Sequence, residues 1–387
     1  MNFEANASNF VYSDTQIQQL KQPLDELLTQ TSQRIQEISV RVNKQDLEIK
    51  QFNQAITNAD LYVDSLIVLP EQMHKNLPSF NAQCTTITGR RSSNEDEEIG
   101  VLLSQNKIPY YQIYAVFDGH GGIDAARFCK ENFVKIFSQN KFLQFNFIEE
   151  AIKETFLDLD QQFCEQPGIK TNVGTTCACV VFDLASDKIV IANCGDARVL
   201  IYAQNDVFVT FDHKPSDVSE QNRLRTYFAT ETMEINGVQR VNGSLAVSRA
   251  IGDVDFKIYG VQSKPNVLTV PCSITDILFT IVACDGLFDV ISNDQLISAV
   301  KSMLGMEVSC KSEDQKFLDG ITAYFENKLF EGDAIFSQLC GEVGQTDSGE
   351  VKIDKSDICG KISQVLVRAA YFLNSTDNIT CIVILQK

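Results

Sequence analysis

Short apolar runs, separated by links of only a few turn residues, dominate the chain from about residue 84 onward. Such links leave no room for a crossover helix, so neighbouring runs must pair as antiparallel strands. Two stretches between the strands repeat apolar residues at helical spacing, at about 125–137 and 148–163. The last run, Ile379 to Leu385, ends almost at the C-terminus and is predicted to be part of the core. The four clearest internal runs are 179–182, 188–191, 199–202 and 207–210.

The N-terminal part of the chain carries a heptad pattern instead. Between Leu24 and Leu66, apolar residues recur at alternating spacings of three and four, with interruptions at Thr31 and Gln45. This pattern predicts a long amphipathic helix or a helical hairpin. Two interpretations stay open. Residues 24–66 form a coiled coil that makes a homodimer or binds a helical partner, or they pack on the second domain of their own chain.

The change of pattern predicts two domains. The first is a helical segment at 1–75, and the second spans 80–387. Within the second, a polar, acidic stretch at about 305–357, with closely spaced glycines and a short apolar run from Phe317 to Phe330, does not fit the strand pattern. We interpret it as a surface insertion that is partly helical and partly flexible.

The charge of the chain restricts its partners. There are 33 basic and 51 acidic residues, which gives a formal net charge of -18. Nucleic acids and anionic membranes bind basic surfaces, so we expect neither as a partner. A phosphorylated substrate stays compatible with this charge, because bound divalent cations reverse the local field in a cleft.

The cysteines and the apolar stretches predict the compartment. The chain has 12 cysteines, and residues 1–14 are polar and mixed rather than an apolar leader. Reduced thiols in the cytoplasm or nucleus are therefore expected. No uninterrupted apolar stretch approaches the length needed to cross a bilayer, so we expect no membrane-spanning segment.

Carboxylates stand at the ends of several predicted strands. Asp118 follows an apolar run and precedes Gly119, whose backbone can turn tightly and bring a carbonyl close to a cation. Asp285 ends a second run, and Asp377 precedes the final strand. If these strand ends meet, the crowded acids need cations, and an all-oxygen ligand set suits Mg²⁺ or Mn²⁺. A further, weaker cation site is predicted at two more acids, Asp196 and Asp289.

Four strings resemble, in order and spacing, the signature of the metal-dependent, PP2C-type (PPM family) protein serine/threonine phosphatases. They are Tyr114–Gly122, Asn193–Arg198, Val282–Asp289 and Ser375–Thr380. With shorter strings between them, the resemblance covers about 84–300 and 365–387. It implies an α+β fold, a four-layer α-β-β-α sandwich of two antiparallel sheets flanked by helices, which agrees with the strand pattern.

The resemblance also implies roles for individual residues. Arg91 holds the substrate phosphate with its planar, bidentate fork, and Glu95 and Asp96 contact metal or metal-bound water. His120 acts as general acid toward the departing serine or threonine oxygen. Asp118 bridges two Mg²⁺ or Mn²⁺ ions, which lower the pKa of a water molecule so that it attacks phosphorus; a third ion is a further option.

The predicted function is therefore metal-dependent hydrolysis of phosphoserine and phosphothreonine in phosphoprotein substrates. The alternative is a catalytically silent scaffold of the same fold that binds signalling partners through its N-terminal helix. The presence of the complete ligand set favours the enzyme. Ligand identity alone does not separate protein substrates from small phosphate esters, because the walls of the pocket select the leaving group.

Overall fold

The computed structural model describes residues 78–105, 108–204, 206–308, 314–325 and 358–386. The predicted helical domain 1–75, with its heptad region 24–66, lies outside the described residues, as do residues 309–313 and 326–357 of the predicted insertion. The predictions for these residues stay predictions. In chain order the strands are β1 (Phe80–Ile87), β2 (Glu97–Gln105), β3 (Ile108–Phe117), β4 (Gly119–His120), β5 (Gly174–Thr175), β6 (Cys177–Asp183), β7 (Lys188–Cys194), β8 (Arg198–Ala203), β9 (Asp206–Val209), β10 (Thr232–Ile235), β11 (Val238–Val241), β12 (Ile251–Gly252), β13 (Asn266–Val270), β14 (Ile277–Ala283) and β15 (Ile379–Gln386).

Helices connect and cover these strands. They are α1 (Asp124–Ser138), α2 (Ile148–Cys164), α3 (Val218–Phe228), α4 (Val254–Lys257), α5 (Asp285–Phe288), α6 (Asn293–Met303), α7 (Gln315–Phe325) and α8 (Ile358–Phe372), with short 3-10 turns at Lys141–Phe145 and Ile274–Asp276. Within the described part of the chain, none of the helices combines the length and apolar character needed to cross a bilayer.

The strands pair into two large antiparallel sheets. One sheet has the order β1-β15-β14-β8-β9, and the other has the order β13-β7-β6-β3-β2. Side chains alternate between the two faces of each strand, as the two-residue period requires. On β3, for example, Ile113, Ala115 and Phe117 pack toward α1 and α2. Tyr114 and Val116, the residues between them, join the core toward the opposite sheet.

Three apolar layers hold the domain together. The middle layer combines residues of both sheets, such as Val180 and Ile191 of one with Val199 and Ile382 of the other. The layer outside β3 and β6 is covered by α1 and α2, and the layer outside β14 and β15 by α5 to α8. Both sheets are buried on both faces, which explains why their central strands are almost continuously apolar. The predicted four-layer arrangement is confirmed.

The topology brings three strand ends to one edge of the sandwich. β14 and β15 are antiparallel neighbours, with Ala283 opposite Cys381, so the end of β14 lies beside the start of β15. β3 of the facing sheet packs against both strands. The residues that follow β3 and β14 and precede β15 therefore border the same edge.

The described part of the predicted insertion includes a helix that contributes to the core. α7 buries Phe317, Leu318 and Ile321 in the layer outside β14 and β15. Residues 315–325 therefore belong to the helical layer of this domain.

Candidate metal centre and active site

The acids at the strand ends meet in a cleft of about 620 Å³. Carboxylate oxygens of Asp118, Asp196 and Asp285 lie within 4.8 Å of one another. A second group, with the same limit on its distances, joins Asp96, Asp118 and the thiol of Cys284. Asp118 is common to both groups, so the cleft offers two adjacent ligand clusters that share one carboxylate.

The cluster carries strong electrostatic repulsion. Burial raises the pKa of Asp118 well above its usual value, and the charges of Asp96 and Asp285 raise it further. The pKa of Asp285 is raised in the same way, first by burial and then by Asp196. Burial also raises the pKa values of Asp96 and Asp196 to about 6. Crowded carboxylates with little compensating charge are the environment that a hard divalent cation stabilises.

One carboxylate oxygen buried beside Asp118 tests whether the acids fit a metal ion. Asp96 is 6% exposed, and its Oδ2 accepts a hydrogen bond of 2.6 Å from the Thr380 hydroxyl. Its Oδ1 is buried without a hydrogen-bond partner among the described residues. Buried acceptors are normally satisfied, so this oxygen fits the requirement of a metal or of metal-bound water.

Glu95 borders the cleft but lies outside both clusters. Its Oε2 accepts a hydrogen bond of 3.1 Å from the backbone N–H of Gly122, and its own N–H donates to Asn378 at 2.9 Å. Its carbonyl oxygen packs so closely on Gly119 that any side chain at Gly119 would collide with it. Glycine is therefore required at this position, and the loop that carries Glu95 is held tightly against β4.

Arg91 and Asp377 form an ion pair at the rim of the cleft. Nη2 of Arg91 donates to Oδ2 of Asp377 at 2.6 Å, and Nε donates to the carbonyl of Thr376 at 3.1 Å. Asp377 lines the cleft, yet its carboxylate is not a member of either three-ligand cluster. The structure thus brings Asp118 and Asp285 together and places Asp377 nearby, in contact with Arg91.

His120 also lines the cleft, at the end of β4. Its Nε2 is 2.7 Å from Oδ2 of Asp253, a carboxylate with no exposed surface. Burial alone lowers the pKa of His120, but the hydrogen bond and charge of Asp253 outweigh burial, and the net effect is a raised pKa. This pairing favours the protonated imidazole that a general acid requires.

Asp196 and Asp289, the predicted third-cation pair, are separated by a lysine. The ammonium group of Lys214 donates to Asp289 at 2.8 Å and lies 3.9 Å from Asp196. Burial lowers the pKa of Lys214, but the charges of Asp196 and Asp289 more than compensate, so its pKa is raised. Asp196 itself belongs to the cluster around Asp118, whereas Asp289 is 56% exposed at the edge of the cleft.

Comparison with known proteins decides the family. The model of the family described as Protein phosphatase 2C matches residues 81–318, more than half of the chain. This chain belongs to the Protein phosphatase 2C family. The resemblance found in its sequence motifs is confirmed. The final strand, β15, lies beyond the matched residues, but it pairs with β1 and β14 and completes a sheet of the Protein phosphatase 2C domain.

Named relatives of this Protein phosphatase 2C member align with it over part of their own length. Human Protein phosphatase 1A is 31% identical over 239 residues, which are 57% of this chain and 61% of the relative. Protein phosphatase 2C homolog 2 of Saccharomyces cerevisiae is 30% identical over 249 residues, 60% of this chain and 52% of the relative. This chain thus spans about half to three fifths of the relatives' length.

A solved structure shows the same fold. The serine-threonine phosphatase 2C from Toxoplasma gondii superposes with a TM-score of 0.58 at 19% identity, over 80% of this chain and 97% of that one.

Three residues that lie beside the site residues of this Protein phosphatase 2C domain were not predicted. Two of the shorter strings that resemble the family motifs are Val241–Asp253 and Asp212–Pro215. The first ends at Asp253 and the second contains Lys214, so the sequence contained a signal for both residues. Cys284 lies between the end of β14 and Asp285, and only the folded structure shows its thiol beside Asp96 and Asp118.

Proposed function

We propose that this chain hydrolyses phosphoserine and phosphothreonine in proteins, with two Mg²⁺ or Mn²⁺ ions in the cleft. The observation that carries the proposal is the position of Asp118 in two ligand clusters at once. A carboxylate shared between two adjacent clusters suits a bridged pair of hard cations. Membership of the Protein phosphatase 2C family supports the same chemistry.

The acids of the two clusters would hold the ions. Asp196 and Asp285 belong to one cluster and Asp96 to the other, with Asp118 between them. We further propose Asp377, the carbonyl of Gly119 and Glu95 as contributors, directly or through water. When bound, such ions lower the pKa of a water molecule so that it attacks phosphorus in line, and they offset the charge on the phosphoryl oxygens.

The chain's own residues bind the phosphate and assist the leaving group. The Arg91 side chain is 56% exposed, so its guanidinium is accessible to a phosphoryl group, which it matches bidentately. His120 borders the same cleft. As the bond between phosphorus and the serine or threonine oxygen breaks, the oxygen takes a proton from His120 and leaves as an alcohol.

We propose two ions rather than three for the native chain. Lys214 already supplies a positive charge between Asp196 and Asp289. A third divalent cation would have to displace this ammonium group or repel it at close range.

A phosphopeptide assay tests the proposal. We expect phosphate release from a phosphothreonine peptide in the presence of Mn²⁺, complete loss with excess chelator, and recovery when Mn²⁺ or Mg²⁺ is restored. Metal should also raise the thermal unfolding midpoint, because it relieves the repulsion between Asp118, Asp285 and Asp196. Activity that persists in chelator would contradict the metal-dependent mechanism. Metal-stabilised protein that releases no phosphate would instead favour a binding role.

A further inference from the structure

The buried carboxylate of Asp253 has one hydrogen-bond partner among the described residues, the imidazole of His120. The Asp253 side chain has no exposed surface, and its Oδ2 lies 2.7 Å from Nε2 of His120. Its Oδ1 is buried and has no partner in the described part of the chain. The nearby ammonium of Lys257 is directed to Asp160 instead, at 2.8 Å. A buried carboxylate needs a donor, so His120 must present Nε2–H to it.

A small sheet holds the two side chains together. β5 pairs with β4 on one side and with β12 on the other, so Gly174 lies opposite both His120 and Gly252. Asp253 follows directly, and its N–H donates to the carbonyl of Val173 at 2.9 Å. A side chain on Gly174 would place its Cβ 2.7 Å from Nε2 of His120 and closer still to the Asp253 carboxylate. Glycine at 174 thus leaves the space in which the pair forms.

We propose that Asp253 is the positioning residue of the general acid: it accepts the Nε2 proton of His120 and thereby fixes the imidazole with Nδ1 available to the leaving oxygen. This inference rests on the proposed phosphatase function. When the phosphorus–oxygen bond breaks, the electron pair stays on the serine or threonine oxygen, which takes the proton from Nδ1. The Nε2–H bond to Asp253 remains intact, and Nδ1 later takes back, through solvent, the proton that the attacking water released.

The choice of leaving group separates this role from simple structural support. Alkoxide leaving groups need protonation, whereas p-nitrophenolate is stable enough to leave without it. We therefore expect Asp253→Asn to lower kcat for a phosphothreonine peptide about 100-fold, and kcat for p-nitrophenyl phosphate by less than about threefold. A structural defect would lower both rates by the same factor. The matched control is Asp255→Asn on α4, an exposed carboxylate that accepts from Thr171, and both rates should stay unchanged.

A double-mutant cycle then tests whether Asp253 acts through His120. His120→Asn should show the same leaving-group contrast, and adding Asp253→Asn to it should cause no further loss. Additive losses, or equal losses on the two substrates, would overturn the inference while leaving the phosphatase function in place. Absence of metal-dependent activity in the wild-type chain would instead remove the proposed function itself.

A second variant covers the case in which Asp253→Asn fails to fold. Gly174→Ala keeps both side chains and displaces them from each other, so it should reproduce the contrast between the two substrates. The thermal unfolding midpoint of each variant shows whether it folds, and rates are compared for the variants that do. Equal rates for Gly174→Ala and wild-type protein on the phosphothreonine peptide would overturn the inference.

Discussion

Two buried acidic sites in this domain differ in where their positive charge comes from. Glu220 is 2% exposed, and its carboxylate accepts hydrogen bonds from Arg249 at 2.6 Å, Arg223 at 2.7 Å and Ser248 at 2.7 Å. Burial alone would raise its pKa, but these bonds lower it to about 2. In the cleft, by contrast, burial raises the pKa values of Asp96 and Asp196 to about 6.

The difference separates a structural site from a functional one. The chain supplies two arginines for a single glutamate, so Glu220 is neutralised within the fold. Among the described residues around Asp118, the acids outnumber the cations: Lys214 pairs with Asp289 and Arg91 with Asp377. The remaining compensating charge therefore has to come from outside. Removing an acid should therefore have opposite effects at the two sites.

The largest expected effect is on turnover, at the cleft. Asp118→Asn keeps the shape of the side chain and removes the charge shared by both clusters. We expect kcat on a phosphothreonine peptide with Mn²⁺ to fall by about 100-fold or more, as when one group that stabilises developing charge is lost. The free energy of unfolding without metal should stay the same or rise, because a repelling buried charge is removed.

Asp285→Asn is the matched variant, since Asp285 belongs to one cluster and Asp118 to both. In Asp285→Asn, too, kcat should fall and the free energy of unfolding without metal should not decrease. Nearly wild-type turnover of Asp118→Asn would refute its bridging role. A large loss of metal-free stability would show that the cleft is a structural site like that of Glu220.

The second effect is on stability, at Glu220. Glu220→Gln leaves Arg223 and Arg249 without an anionic partner, and we expect the free energy of unfolding to fall by about 3–5 kcal/mol. Denaturant unfolding in chelator measures this change apart from metal binding. The control Glu231→Gln removes an acid from an exposed pair with Arg225, and no measurable change is expected.

The pH dependence of the stability of Glu220→Gln tests whether the loss comes from the charge of Glu220. The folded-state pKa of Glu220, about 2, lies below its ordinary value of 4.5, so its stabilising effect is complete above about pH 4.5 and is lost as the pH falls toward 2. The stability difference between wild type and Glu220→Gln should shrink over this interval. A difference that does not change with pH would mean that packing, not charge, is lost in the variant.

The acids of the cleft could be predicted from the sequence, whereas the residues and elements packed around them could not. Asp118 and Asp285 each stand at the end of a long apolar strand, so their convergence follows once the strands pair. The pairing of His120 with Asp253 depends on the register of β4, β5 and β12, which have two residues each and show no period. The helix at 315–325 lies where the sequence predicted a partly helical surface insertion, but its burial could not be predicted. Its apolar residues stand in an otherwise acidic, polar segment, and only tertiary packing shows that they are buried.

The smallest effect should come from Lys214, the lysine between Asp196 and Asp289. Lys214→Met removes the ammonium group that contacts Asp289 and lies 3.9 Å from Asp196. Loss of a unit charge at this distance should tighten the binding of a third Mn²⁺ ion about tenfold or more. Equilibrium dialysis that counts the ions bound per chain measures this, with Lys153→Met, from an exposed pair with Glu150, as the control. An unchanged number of bound ions in Lys214→Met would show that the lysine does not occupy the place of a cation. Unlike Glu220, the acids of the cleft would then have no side chain of the described chain that substitutes for a metal ion.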